Sequence, residues 1–172
     1  WAIAWGFYLA RLLAIGAFLA TRTQGWLYWH QVITGWTALA LPWTAVVFVR
    51  GTGWRPWYGL LALFPPVWSW IAIYELKNFL LAAGPAVAFL SGATFITGVT
   101  FLRHQRHHPS SGAPVLSTTF ILWGLLHLDY PLLRARGIWT PWGYYLDILF
   151  TLGVGAGILL LINNELNERL MA

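Results

Sequence analysis

The chain has 172 residues, of which 59% are hydrophobic and only 9% charged, against about 25% charged residues in a soluble domain. It contains no cysteine, which excludes disulfides and thiolate metal sites. Its formal net charge of +5 therefore reads as loop charge facing anionic lipid rather than a nucleic-acid surface, and thirteen tryptophans with seven tyrosines fit aromatic belts at two membrane interfaces.

Six apolar stretches follow one another, each near the roughly 20 residues that a spanning helix needs: 2–20, 26–49, 58–74, 79–102, 113–133 and 144–162. The expected fold class is all-α, a polytopic transmembrane bundle of about six helices occupying 1–162, with 163–172 starting a cytoplasmic linker helix. The first stretch carries Arg11 and no small-residue cleavage pattern, so it does not read as a signal peptide. The chain is apolar from Trp1 and lacks an initiating methionine, so it reads as part of a longer protein. Stretches two to five contain Pro42, the pair Pro65-Pro66, Pro85 and Pro131. Each proline removes a backbone donor and bends its helix. The connections are short, and none has room for a soluble domain. The alternating ten-residue pattern of a β-barrel is missing.

The last stretch holds Gly153 and Gly157 at GxxxG spacing, which suits close contact with another helix. That contact is open between a neighbour in the bundle and a second copy of the chain. After Ile162 the sequence turns polar without a helix breaker, while Leu159, Ile162, Leu166 and Leu170 keep an apolar stripe at helical steps. The helix is expected to continue out of the membrane.

Adjacent connections in a spanning bundle lie on opposite sides. Those between stretches 1–2, 3–4 and 5–6 share one end, called face A here; the others and the C-terminus share face B. Face A carries Arg22, Lys77, Arg134 and Arg136. Face B carries Arg50, Arg55, Arg103, Arg106 and Arg169, a small positive-inside excess that favours a cytoplasmic face B.

Ionisable residues inside spans are costly and mark function by default. The candidates are Arg11, His30, Glu75, His127, Asp129 and Asp147. All but Arg11, which lies mid-span, fall toward face A by sequence position. This clustering has two readings. Buried ion pairs such as Arg11 with Asp147 or Asp129 would lock the bundle. Alternatively, a polar pocket open toward face A would be walled by Trp26, Trp29, Trp139, Trp142, Tyr144 and Tyr145. His127 and Tyr130 share one side of the fifth helix, and Asp129 points about 200° away. A haem held between His30 and His127 is geometrically conceivable, with no supporting spacing. His104, His107 and His108 in "RHQRHH" read as a cationic surface loop more than as a metal site. HExxH, P-loop and nucleophile-elbow patterns are missing, so the expectation is a segment without a catalytic site or resident cofactor.

The stretch "LWGLLHLDYPLLRARGIWTPWGYYLDILFTLGVGAGILLLINNEL" resembles the last two spans of the multi-spanning N-terminal sensor region of bacterial histidine kinases and diguanylate cyclases. The likeness is carried by Trp123, Gly124, His127, Leu128, Asp129, Tyr130, Pro131, Arg134, Pro141, Trp142, Gly143 and Tyr144. It covers under a third of the chain and departs from the family at Leu126, where a second histidine or basic residue is usual. The resemblance implies a sensor in the bacterial cytoplasmic membrane that would read a small-molecule or lipid ligand and act as a homodimer with a cytoplasmic C-terminus. Its last helix would relay the stimulus to a kinase or cyclase module. The ligand-site candidates are His127, Asp129, Tyr130, Asp147, His30, Glu75, Arg11, Trp142 and Tyr144; Pro131, Gly153 and Gly157 are the candidate relay. The other reading is a small transporter or a membrane-complex subunit that binds haem, lipid or pigment.

Overall fold

The computed structural model describes residues 1–51, 56–107, 112–135 and 142–171, without the side chains of 79, 82, 129–135, 142–144 and 169. Among them lie six α-helices and one π-turn, and there is no strand. The helices are α1 (Ala2–Thr21), α2 (Gln24–Arg50), α3 (Tyr58–Trp70), α4 (Phe79–His107), α5 (Gly112–Ala135) and α6 (Trp142–Met171); the π-turn, Ile71–Glu75, extends α3. All six expected stretches become helices. Four of the helices are long and apolar enough to cross a membrane: α1, α2, α4 over Ala83–His107, and α6 over Tyr145–Glu168. The described apolar part of α5, Gly112–Leu128, is shorter.

Local chemistry sets the breaks. Arg22 adopts φ 57° after α1 and donates its N–H to Phe18 O at 2.7 Å; Gly51 closes α2 the same way, with φ 62° and a 2.8 Å bond to Val47 O. A left-handed residue of this kind satisfies carbonyls that the helix end leaves open. Beyond the π-turn, Leu76 N–H reaches Ile71 O, Lys77 turns to φ 50°, and Asn78 Oδ1 accepts the N–H groups of Leu80 and Leu81. Asn78 thus caps α4 as the reversal is made. Pro42, Pro65, Pro66 and Pro85 all remain inside helices. Neighbouring helices tolerate such interruptions in an apolar medium.

α4 packs most extensively on α5. α2 packs on both α1 and α4, α6 lies on α5, and α3 leans on α2. The surface is inverted relative to a soluble bundle. Large apolar side chains point outward, among them Leu60, Leu13, Leu152 and Leu159, each about two-thirds exposed. The interior is rich in Ala, Ser and Thr around Trp123, Phe101, Phe120 and Leu116. Lipid offers no hydrophobic drive to bring helices together, so close contact rests on small residues. Gly98 abuts Ser117 and Ile121, and Gly124 abuts Ser91 and Thr94 across the α4–α5 contact, where Ser91 Oγ also donates to Gly124 O. The buried hydroxyls of Thr34, Thr37, Thr94 and Thr97 bond the carbonyls four residues back. That leaves no unsatisfied hydroxyl at these positions.

Besides the buried rings, aromatic groups gather at each end. Tyr28 meets Trp29, Trp70 and Tyr74 at face A, and Trp57 lies against Tyr58 at face B. Rings that are apolar in body and polar at the tip suit the two edges of a bilayer.

Candidate functional site: a polar cluster joining the first helix to the last two

Asp147 is the organising residue. Its Oδ2 accepts a 2.6 Å hydrogen bond from the Tyr8 hydroxyl on α1, and its Oδ1 accepts a 2.6 Å bond from Trp123 Nε1 on α5. Both carboxylate oxygens are therefore engaged by neutral donors from two different helices. Thr151 stands one turn along α6, donates to Asp147 O at 2.8 Å and lies 3.4 Å from the Tyr8 hydroxyl. The Tyr8 and Trp123 rings meet edge-on at 5.4 Å.

The charge that balances Asp147 is Arg11. The two do not pair directly: the Arg11 guanidinium sits over the Tyr8 ring at 4.8 Å, and the Tyr8 hydroxyl reaches the carboxylate. A phenol is thus inserted between cation and anion, taking the cation on its π face and giving its proton edge to the anion. The expected Arg11–Asp147 ion pair is replaced by this relay. Tyr8 and Arg11 are three residues apart on one helix, which puts them on the same side of α1.

His127 completes the cluster. Its ring lies 5.7 Å from the Trp123 ring, and the charges of Arg11 and Asp147 both act on it. Its Nε2, like Arg11 Nε, is buried without a hydrogen-bond partner among the described residues. His30 approaches from α2, with Nδ1 3.1 Å from Arg11 O.

The cluster lies deeper than sequence position implied. Tyr8 and Trp123 fall near the middle of α1 and α5, so the Asp147 carboxylate sits at mid-bundle although it follows the face-A connection. Glu75 is not part of it: this residue ends the π-turn at face A and is exposed. The side chains of Asp129, Tyr130, Pro131, Trp142 and Tyr144, together with residue Trp139, lie outside the described residues. Among the described residues no group of three His, Cys, Asp or Glu side chains is placed to hold a metal.

Of the expected aromatic wall, the side chains of Trp26, Trp29 and Tyr145 are among the described residues. Trp26 and Trp29 do line a groove of about 510 Å³ toward face A, but its other walls are Ala10, Leu13, Ala14, Ala17 and Ile33, so it is apolar. Tyr145 is 65% exposed and faces away from the bundle. A second cavity, of about 480 Å³, lies between α1, α2 and α3 in the half nearer face B and is also apolar.

Gly153 and Gly157 face α5. A Cβ at Gly153 would stand 3.0 Å from the Thr119 side chain, and one at Gly157 would stand 2.7 Å from Leu116 Cγ. Gly112 makes the reciprocal approach from α5, toward Gly157 O and Leu161. In this structure the glycine pair serves a contact within the bundle.

Tyr8 and Thr151 are the cluster residues that sequence reasoning passed over. The available signal was spacing: a tyrosine three residues before the single charge of its span, and a threonine four residues after an intramembrane aspartate. Comparison with family models, with curated proteins and with solved structures returns no significant match.

Proposed function

We propose that this bundle is the membrane-embedded input module of a bacterial signal-transduction protein, set in the cytoplasmic membrane and relaying a stimulus through α6 to a cytoplasmic output module. The observation that carries this reading is the form of α6. It is one uninterrupted helix from Trp142 to Met171. Its membrane portion is clamped at Asp147 by donors from α1 and α5. Its far end continues past Ile162 with Leu159, Ile162, Leu166 and Leu170 exposed along one stripe. A rigid rod gripped at one end and presenting an apolar stripe at the other can transmit rotation or translation between two packings, as a two-state relay requires. The resemblance of the segment around Trp123–Tyr144 to sensor regions of histidine kinases and diguanylate cyclases supports the same reading.

The test joins α6 at Met171 in helical register to a diguanylate cyclase or histidine kinase reporter, with insertions of one to seven residues after Ile162. Each inserted residue rotates the output by about 100°, and a seven-residue insertion restores the apolar seam. Output should follow that period. Output that ignores insertion phase would remove α6 as the relay.

A further inference from the structure

The cavity between α1, α2 and α3 is shaped by features that hold it open. Pro42 contributes its own ring to the lining and withholds a backbone donor where α2 passes the cavity. Toward face A, α3 is fixed to α2: Trp36 Nε1 donates to Ala62 O at 2.9 Å, and Gly35 accepts the ring of Pro65 so closely that no Cβ would fit between them. The Phe7 and Trp36 rings, 5.8 Å apart, tie α1 to the same point. On the face-B side of these contacts lies a cavity of about 480 Å³ bounded by Phe7, Leu39, Trp43, Val46 and Leu61. That volume lies within the range of small-molecule sites.

The lining carries no charged residue. Its side-chain polar groups are the indole N–H of Trp36, already committed to Ala62, the indole N–H of Trp43 and the Tyr58 hydroxyl, and the rest of the wall is hydrocarbon and calls for a hydrocarbon ligand. Access is lateral: Ile3 and Leu61, at the rim, are 60% and 44% exposed on the outward surface where lipid chains would run. We propose that this cavity is a binding site for a single flexible hydrocarbon chain delivered from the bilayer, acyl or isoprenoid. The site also adjoins the polar cluster. Phe7 lines the cavity, and its neighbour Tyr8 holds Asp147, so a chain seated against Phe7 bears on the helix that grips α6. That second step rests on the proposed sensor function; the binding itself does not.

The test is photolabelling of the full chain in nanodiscs with a diazirine-bearing palmitate, with labelled residues located by mass spectrometry. Saturable labelling at Trp43, Val46 or Leu61 is expected, alongside only non-saturable labelling at exposed Leu149 and Leu152 of α6. Competition by unlabelled palmitate or by an isoprenoid alcohol tells the two chain types apart. Ala62→Phe, and independently Val46→Phe, should abolish saturable labelling while the melting temperature is retained; a variant that fails to fold is replaced by the other. Labelling that is no more saturable at the cavity than at α6 means bulk lipid only and overturns the proposal. Saturable binding that leaves the α6 reporter unchanged keeps the site and removes its link to signalling.

Discussion

Tyr8 and Asp147 are 139 residues apart in the chain and 2.6 Å apart in the bundle. Through this bond the first described helix is tied to the last, although the packing of α1 is mainly on α2 and that of α6 mainly on α5. The carboxylate is shared with Trp123, so three helices meet at one charged group in an apolar interior. A carboxyl group held this way has both oxygens engaged, and any movement of α1 relative to α5 changes how it is satisfied.

Tyr8→Phe and Trp123→Phe each remove one donor and keep most of the ring packing. Each should lower stability by about 0.6–2 kcal/mol, the scale of interhelical hydrogen bonds in membranes. Because both donors serve one carboxylate, the double variant should be non-additive. Asp147→Leu should cost more than either, since it strands two buried donors at about 1–3 kcal/mol each. Asp147→Asn retains an acceptor and should fall between. Steric-trapping or denaturant unfolding in micelles gives these differences directly; additive single losses would show that Tyr8 and Trp123 do not share Asp147.

The glycines of α6 divide by what they face. Gly157→Ala would drive a Cβ into Leu116, whose backbone N is also only 3.1 Å away, so α6 must move off α5. Overpacking of this kind costs about 1–3 kcal/mol. Gly155 has nothing within 4 Å of the corresponding position, so Gly155→Ala should be neutral or should stabilise the helix by up to about 1 kcal/mol. Melting temperatures of the two variants should therefore move in opposite directions, and equal shifts would place the α5–α6 contact elsewhere.

Helices and their breaks were legible because hydropathy and length decide them: the six stretches read from sequence match the six helices to within a few residues, apart from extensions of α4 and α6, and four of the helices are long and apolar enough to cross a membrane. Continuation of α6 past Ile162 was legible from the unbroken stripe. Partners were not. Counting charges suggested Arg11 with Asp147 or Asp129; the Asp129 side chain lies outside the described residues, and toward Asp147 the Tyr8 ring takes the guanidinium on its face while its hydroxyl donates to the carboxylate. Depth was misjudged for Asp147, since distance from a connection along one helix says nothing about which side chains reach across from another. The pocket expected at face A drew also on Asp129, Trp139, Trp142 and Tyr144, whose side chains lie outside the described residues; Trp26 and Trp29 share an apolar groove with alanines of α1. The apolar cavity nearer face B had no sequence signal beyond Pro42; its walls come from α1, α2 and α3, and both α1 and α3 touch α2 at Trp36.

That common contact gives a separate expectation. Trp36→Phe keeps the ring against Phe7 and loses the bond to Ala62 O, at a cost of about 1 kcal/mol. Gly35→Leu should do more, because the Pro65 ring already occupies the space of a Cβ. Both should loosen α3 from α2 while leaving the α4–α5 contact intact. Spin labels at exposed Leu63 on α3 and exposed Phe48 on α2 would report this as a broadened distance distribution, larger for Gly35→Leu. An unchanged distribution in both variants would mean that α3 is held by contacts other than these.

The absence of cysteine makes the homodimer implied by the resemblance directly testable at α6, since a single introduced thiol has no background in this chain. Leu159, Ile162, Leu166 and Leu170 are exposed along one stripe of α6. Single cysteines placed in turn from 158 to 171 in membranes should form inter-chain disulfides with a periodic pattern, strongest at these four positions and weak at Asn164 and Glu168, which lie on the opposite side of the helix at about 100° per residue. The bond requires Cα atoms within about 7 Å of each other, so the pattern reports proximity at the helix surface and not encounter between distant copies. A ligand or chain that shifts α6 should move the maxima by one or more positions without abolishing the period. Cross-linking that is uniform along the helix, or confined to the last turn, would mean that the stripe is not a seam between copies, and α6 would then have to act on its output from within a single chain.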